Sequence, residues 1–207
     1  MRLYSPLKKR VKYKFVPVRL NTSFRTVLKC YQVFSDTLLT DFEKAEACLW
    51  LLVKSKLFLK ILKPDKKAAL FNLIFKEFID VSDKKAGGEK YFDFNQDAWA
   101  VYSSFMQCYH LDLLGADKNL HWWSFTALFN GLSDDTKIMQ IISIRSRPLP
   151  KPTKYNAEER RQLIKLKQLY KLNLSEEERK KQFQDGLAKI AVALHTLSLI
   201  HISEPTR

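Results

Sequence analysis

Apolar side chains recur at a helical period along most of the chain. The first stripe follows a helix start at Asn21 or Thr22 and consists of Phe24, Val27, Leu28, Tyr31 and Phe34. A second stripe follows Thr40 and Glu43, whose three-residue spacing is that of a capping box, and consists of Ala45, Cys48, Leu49, Leu52 and Val53. Both stripes predict amphipathic helices with one face in a common core.

Four further helices are predicted before residue 147. Pro64 opens the third helix, and the fourth begins near Asn95 with Trp99 on its apolar face. The fifth spans His121–Asn130 and is ended by a glycine, and Ser133 caps the sixth.

Two short stretches alternate with the period of two that is typical of strands. Residues 11–18 alternate apolar and basic side chains, and Pro17 confines such a strand to a sheet edge. Tyr91–Phe94 alternates aromatic and polar residues and could pair with the first stretch. The pattern therefore predicts a mainly α protein, a compact multi-helix domain with at most a short two-stranded β element near residues 11–18 and 91–94 and a C-terminal helical arm.

The C-terminal third is divided by prolines. Those in Arg147–Pro152 exclude a helix, because each removes a backbone donor and forces extended geometry. Beyond them Asn156 and Ser175 each begin a charged helix with glutamates in its first turn. The last residues look like translated sequencing-adapter read-through. The predicted division is a helical core domain (1–146), a Pro-rich linker (147–155), a charged helical arm (156–194) and a non-native tail (195–207).

The formal charge of +14 is unevenly distributed. Residues 1–35 hold nine basic and no acidic side chains, whereas residues 145–181 hold twelve basic and five acidic ones. Such basic ends are either solvated faces or the complement of an acidic partner, which could be protein or nucleic acid. No stretch of about 18 uncharged apolar residues occurs, so we expect no membrane contact and a cytoplasmic protein.

The sequence offers little for catalysis or metal binding. Cys30, Cys48 and Cys108 lie in apolar helical patterns and read as buried free thiols. No cysteine or histidine pair has zinc-ligand spacing, and no aspartate group has the glycine of a calcium loop. A glycine-rich phosphate loop and a positioned nucleophile are also missing. We therefore expect no enzyme, no cofactor and no metal site.

The adjacent indoles of Trp122 and Trp123 are the most unusual feature. Consecutive helical residues point about 100° apart, so the two rings are not expected to face the same core. Either one of them lies at a partner or subunit surface, or both are buried, one in the core and one beneath a loop. For nucleic acid, most aromatic residues fall on helix stripes that are expected to be buried, and only Tyr13, Phe15 and Tyr155 lie among basic residues, which disfavours that partner.

Four segments closely resemble a tailed-bacteriophage family known as gene product fifteen, encoded in tail gene clusters of phages that infect Gram-positive bacteria. They are NTSFRTVLKCYQVF, YFDF, WAVYSSFMQCYHLDL and LHWWSFTALFNGLSDDTKIMQIISIR. The resemblance spans approximately residues 18–182, and the last segment is its most specific part. The lysine-rich stretch from Lys54 to Lys67 departs from the more acidic loop expected there.

The resemblance implies a tail assembly chaperone that holds the tape-measure protein soluble in the host cytoplasm and is absent from the virion. A tail tube protein is a further implied partner, and self-association is compatible with the role. For partner binding we expect apolar contacts from Trp122, Trp123 and Phe129, and cationic steering from Arg145, Arg160, Arg161 and Lys165. Two alternatives are a nucleic-acid-associated phage protein that uses the basic ends and a minor structural tail component.

Overall fold

The computed structural model describes residues 5–79, 91–115 and 119–173. More than half of these residues are helical, and their only sheet has two antiparallel strands, so the predicted mainly α class is confirmed. The strands are β1 (Arg10–Tyr13) and β2 (Val16–Arg19). The helices are α1 (Phe24–Ser35), α2 (Asp41–Leu52), α3 (Lys56–Ile61), α4 (Pro64–Ile74), α5 (Ala98–Tyr109), α6 (Trp122–Asn130), α7 (Lys137–Ser146) and α8 (Ala157–Leu169); α4 continues into a π-helical turn over Phe75–Ile79.

The stretch predicted as one strand forms a hairpin. Lys14 and Phe15 make its two-residue turn, and Lys14 has a φ of 53°, the left-handed conformation that lets so short a turn reverse the chain. Val11 and Val18 lie opposite each other in the ladder and are buried. The alternation of side chains was therefore a correct signal, but it belongs to two strands that pair with each other.

The second strand predicted at Tyr91–Phe94 is wrong. The rings of Phe92 and Phe94 pack edge to face at 5.0 Å and both contact Phe129, so the alternation reflects aromatic burial without a partner strand. The backbone turns here instead, because the Asp93 carboxylate accepts the backbone N–H groups of Asn95 and Gln96.

The N-terminal helices pack as the stripes predict. α1 contacts α2, α2 contacts α4, and the buried faces of α1 and α2 bring Cys30 and Cys48 together in the core. The predicted capping box at the start of α2 is present in both directions, between Thr40 and Glu43. Helix α3 was not predicted, because its six residues bury only Leu59 and give no periodic stripe.

Two predicted helix caps are not formed by the residues' side chains. Helix α7 begins after Thr136, and Ser133 lies one turn earlier, where its carbonyl accepts the Thr136 hydroxyl at 2.7 Å. Helix α8 begins after Asn156 as predicted. The Asn156 side chain makes no cap bond; its oxygen accepts the backbone N–H of Thr153 and its amide donates to the carbonyl of Lys151.

The C-terminal helices pack on one another and continue the same core. α5 contacts α7, and α8 contacts α7 through a face on which Leu163 is buried. The division into core, linker and arm stays a prediction. The second helix predicted for the arm and the predicted tail at 195–207 lie outside the described residues. Within the described ranges, no helix is both long and apolar enough to cross a membrane.

Candidate partner-binding groove

An open groove of about 460 Å³ lies between α1, the start of α5 and the loop at 111–114. The two helices form its long walls. The loop is placed by His110, which ends α5 in the left-handed conformation with a φ of 52° and turns the chain toward α1. The volume lies within the range of about 300–1,000 Å³ that is usual for binding clefts.

The floor of the groove is aromatic and fixed. Phe125 of α6 is 1% exposed, and its ring stacks between Phe24 at 4.6 Å and Phe105 at 5.1 Å. Helices α1 and α6 are held in this register by an antiparallel bridge ahead of them, in which the Phe24 N–H donates to the Leu120 carbonyl and the Trp122 N–H to that of Thr22. The apolar floor therefore exists before any partner binds.

The rim on the α1 side is cationic. Arg25 and Lys29 line the groove, are exposed, and lie one helical turn apart. In the part of the chain that the structure describes, neither forms a salt bridge. None of the lining residues that the structure describes is acidic. The α1 side of the rim therefore places two unpaired cations beside an apolar floor.

The opposite wall carries an aromatic pair. Tyr102 lines the groove, and the ring of Trp99 packs perpendicular to it at 5.9 Å while remaining 75% exposed. The prediction that Trp99 belongs to the buried face of its helix is wrong, because the buried positions of α5 are Val101, Ser104 and Phe105. An exposed indole beside an apolar groove is typical of a contact surface.

The two adjacent tryptophans point to one short segment. The Trp122 indole N–H donates to the Ile79 carbonyl at 3.1 Å, and the Trp123 indole N–H donates to the Phe78 carbonyl at 2.9 Å. The two indole N–H groups thus reach successive carbonyls, while the rings pack on different neighbours, Trp122 on Phe125 and Trp123 on Phe78. Trp122 is buried and Trp123 half-buried, so both stabilise the fold.

His121 fixes the start of the same helix. Its Nδ1 accepts the backbone N–H of Trp123 at 3.1 Å, and its Nε2 lies 3.0 Å from the Lys8 carbonyl, to which it donates. The ring thus caps α6 and ties it to the chain ahead of the hairpin.

Two other predicted contact residues are also internal. Phe129 is buried at 8% exposure against Phe92 and Phe94. Arg145 makes a two-pronged ion pair with Asp97 through nitrogen–oxygen distances of 2.6 and 2.9 Å, with both side chains under 10% exposed. No comparison tests a partner-binding role for these residues, but their contacts are already made within the chain.

The remaining predicted cations lie on α8. Arg161 and Lys165 are exposed one turn apart, Arg160 is half-buried, and Arg161 lies 3.8 Å from the Glu158 carboxylate. None of the three lines the groove. The exposed cation pair on α8 is therefore separate from the pair at the groove, and its role stays a prediction.

Other chemistry has little support in the described ranges. They contain no group of three His, Cys, Asp or Glu side chains arranged to hold a metal ion. Cys30 and Cys48 are buried as predicted and Cys108 is half-buried. The Cys48 thiol faces the Cys30 carbonyl, with its sulfur 3.9 Å from that oxygen.

Sequence reasoning missed the α1 pair, although a signal existed. Arg25 and Lys29 belong to the basic, acid-free first 35 residues, and their spacing places both beside the predicted apolar face of α1. That α5 and the 111–114 loop lie opposite this face is a tertiary fact that the periodicity could not supply.

Comparison with known proteins gives one match. Residues 3–172 match the family described as Bacteriophage Gp15 protein. No curated protein and no solved structure matches the chain. The matched span contains every described residue except Asn173.

Proposed function

Because the chain belongs to the Bacteriophage Gp15 protein family, we propose that it is a tail assembly chaperone that binds the tape-measure protein during tail morphogenesis. The observation that supports the proposal is the preformed groove, whose aromatic floor and cationic rim suit the side chains of another polypeptide. The protein would act in the host cytoplasm and would be absent from the finished virion.

The physical task of such a chaperone fits a groove of this kind. A long helical tape-measure protein exposes apolar stripes until tube subunits surround it, and exposed stripes promote aggregation. A shallow groove covers a short part of a stripe reversibly, so it protects the client and still releases it. This task requires binding without catalysis. A tail tube protein and a second copy of the chain are further candidate partners.

Co-expression tests the proposal. The chain and the tape-measure protein of the same phage are produced together, and the soluble fraction of the tape-measure protein is compared with that obtained without the chain. We expect a gain of several-fold and co-purification of the two proteins. No gain and no co-purification would contradict the proposal. Mass spectrometry of purified virions tests the localisation separately, and detection of the chain there would favour a minor structural tail component.

The hairpin favours a second candidate, a nucleic-acid-associated phage protein. Phe15 at its tip is 92% exposed, and the exposed Arg10, Lys12 and Lys14 precede it with no acidic residue nearby in the sequence. An exposed ring among cations can stack on a base while the cations contact phosphates. This candidate predicts binding to single-stranded DNA whose logarithmic affinity falls linearly with the logarithm of salt concentration. Undetectable binding at low salt would exclude it.

A further inference from the structure

The groove walls decide what kind of backbone can bind between them. Both long walls are helices, α1 and α5, whose interior backbone groups are bonded within each helix. They therefore offer no free sheet edge to an extended peptide. A bound segment that leaves water must satisfy its own backbone groups, and a helix does so internally.

The rim decides the charge of that segment. Arg25 and Lys29 lie on successive turns of α1, and none of the described lining residues carries a negative charge. A helix with carboxylates one turn apart would place one beside each cation. Basic and uncharged apolar segments would leave the cations unpaired or repelled.

We infer that the groove binds an amphipathic helix whose apolar stripe covers the Phe24–Phe125 floor and whose flanking carboxylates pair with Arg25 and Lys29. The inference rests on the proposed function for its source, an acidic amphipathic segment of the tape-measure protein. A volume of 460 Å³ accepts about two or three large side chains, which corresponds to about two helical turns of the partner.

Charge argues against the hairpin of a second copy as the occupant. Its most exposed apolar residue, Phe15, follows Lys12 and Lys14 in the sequence, which would bring positive charge toward Arg25 and Lys29. Like charges brought together at an interface oppose binding. The hairpin of a second copy is therefore a poor complement to this groove.

Peptide binding to the purified full chain tests the inference. The probe is a fluorescein-labelled peptide of about 18 residues, long enough for appreciable helicity, with leucines at helical spacing and glutamates on the flank. A second peptide carries lysines in place of the glutamates. Fluorescence anisotropy measures both affinities at low and at physiological salt.

Three variants separate the groove from charge in general. R25E/K29E reverses the rim, and A98F fills the groove from its exposed wall without changing charge. R161E/K165E reverses an exposed cation pair of the same spacing on α8, away from the groove, and so separates the groove from the α8 steering that the sequence predicts. Circular dichroism and urea unfolding confirm that each variant is folded.

We expect the glutamate peptide to bind wild type and the lysine peptide to bind at least tenfold more weakly. R25E/K29E should lower the affinity for the glutamate peptide roughly tenfold and should bind the lysine peptide more tightly than the glutamate peptide, because two attractive contacts become repulsive. A98F should lower the affinity for both peptides, and R161E/K165E should bind each peptide with an affinity within about twofold of wild type. Equal loss in R25E/K29E and R161E/K165E, or an unchanged affinity in A98F, would overturn the inference.

Two further outcomes are informative. A third peptide with the sequence of residues 174–194 tests this chain's own segment as the occupant, and tighter binding of that peptide than of the glutamate peptide would overturn assignment to a partner. The proposed function fails separately: if wild type binds the glutamate peptide but does not solubilise the tape-measure protein, the groove chemistry stands and its assigned source is wrong. If R25E/K29E and A98F still solubilise the tape-measure protein, the proposed function stands and the assignment of binding to the groove is contradicted.

Discussion

Replacing Arg145 with methionine should destabilise the fold strongly, because Arg145 connects three segments through buried contacts. Its guanidinium donates to both Asp97 oxygens, and Nη1 also donates to the Tyr91 carbonyl at 3.0 Å. Its Nε donates to the Tyr170 carbonyl at 2.5 Å. The side chains of Arg145 and Asp97 are 7% and 5% exposed.

The magnitude follows from the charge that the substitution leaves behind. Removing one partner of a buried ion pair typically costs about 3–5 kcal/mol, because the other charge stays desolvated. Asp97 would still accept the backbone N–H of Asp93 at 2.9 Å, so we expect R145M to lower the free energy of unfolding by about 3 kcal/mol, the low end of that range. R145K keeps the positive charge but cannot donate two parallel hydrogen bonds to the Asp97 carboxylate, so it should lower the free energy of unfolding by about 1–2 kcal/mol. R145M/D97L leaves no charge buried and should be less destabilised than R145M.

Urea unfolding of the full chain, followed by circular dichroism and tryptophan fluorescence, measures these differences. With an m-value of about 2 kcal/mol/M, a loss of about 3 kcal/mol lowers the midpoint by about 1.5 M. R147M is the matched control, because the Arg147–Glu159 pair is 2.8 Å apart but more than half exposed, and should cost under about 1 kcal/mol. The reasoning is refuted if R145M and R147M are equally stable, or if R145M/D97L is less stable than R145M.

Three smaller predictions follow from local contacts. An alkylating reagent should modify Cys108 first under native conditions, because the Cys30 and Cys48 thiols are both buried. The hydrogen bond with Cys48 and burial also raise the pKa of the Cys30 thiol. Mass spectrometry after timed alkylation measures the order, and simultaneous reaction of all three cysteines would contradict the prediction. The backbone N–H and the hydroxyl of Thr40 lower the pKa of Glu43. The stabilisation of the fold by ionised Glu43 is therefore complete above the unfolded-state pKa and is lost as the pH falls through the folded-state pKa. E43Q should therefore flatten the acid side of the stability curve, and an unchanged curve would contradict this. W123F keeps an aromatic ring but loses the indole N–H bond to the Phe78 carbonyl and part of the packed ring area, so it should lower the free energy of unfolding by at least about 1 kcal/mol in urea unfolding; an unchanged stability would contradict this.

The sequence predicted those parts of the fold whose cause is local. The Thr40–Glu43 capping box and the apolar stripe of α2 depend on residues within a few turns of each other, and both are present. The hairpin was partly recognised. Its alternation was visible, but the turn at Lys14 was not, because a lysine gives no signal of the left-handed conformation that glycine or asparagine would give.

The remaining features depend on contacts between distant segments. Asp97 reads as a helix-start residue until Arg145, 48 positions away, is placed beside it. Trp99 reads as a core residue because its spacing matches the stripe, although α7 packs on the other side of α5. The candidate groove also depends on contacts between distant segments. Helical periodicity predicts the apolar face of α1 but not the loop and helix that lie opposite it.

The central claim is that the chain holds its partner in the groove between α1 and α5. The most direct measurement is the soluble yield of the tape-measure protein co-expressed with wild type, R25E/K29E or R161E/K165E, each at equal chain level. The account predicts that wild type and R161E/K165E raise the yield several-fold and co-purify with the tape-measure protein, while R25E/K29E loses most of both effects. It is contradicted if wild type gives no gain, or if R25E/K29E performs as well as wild type.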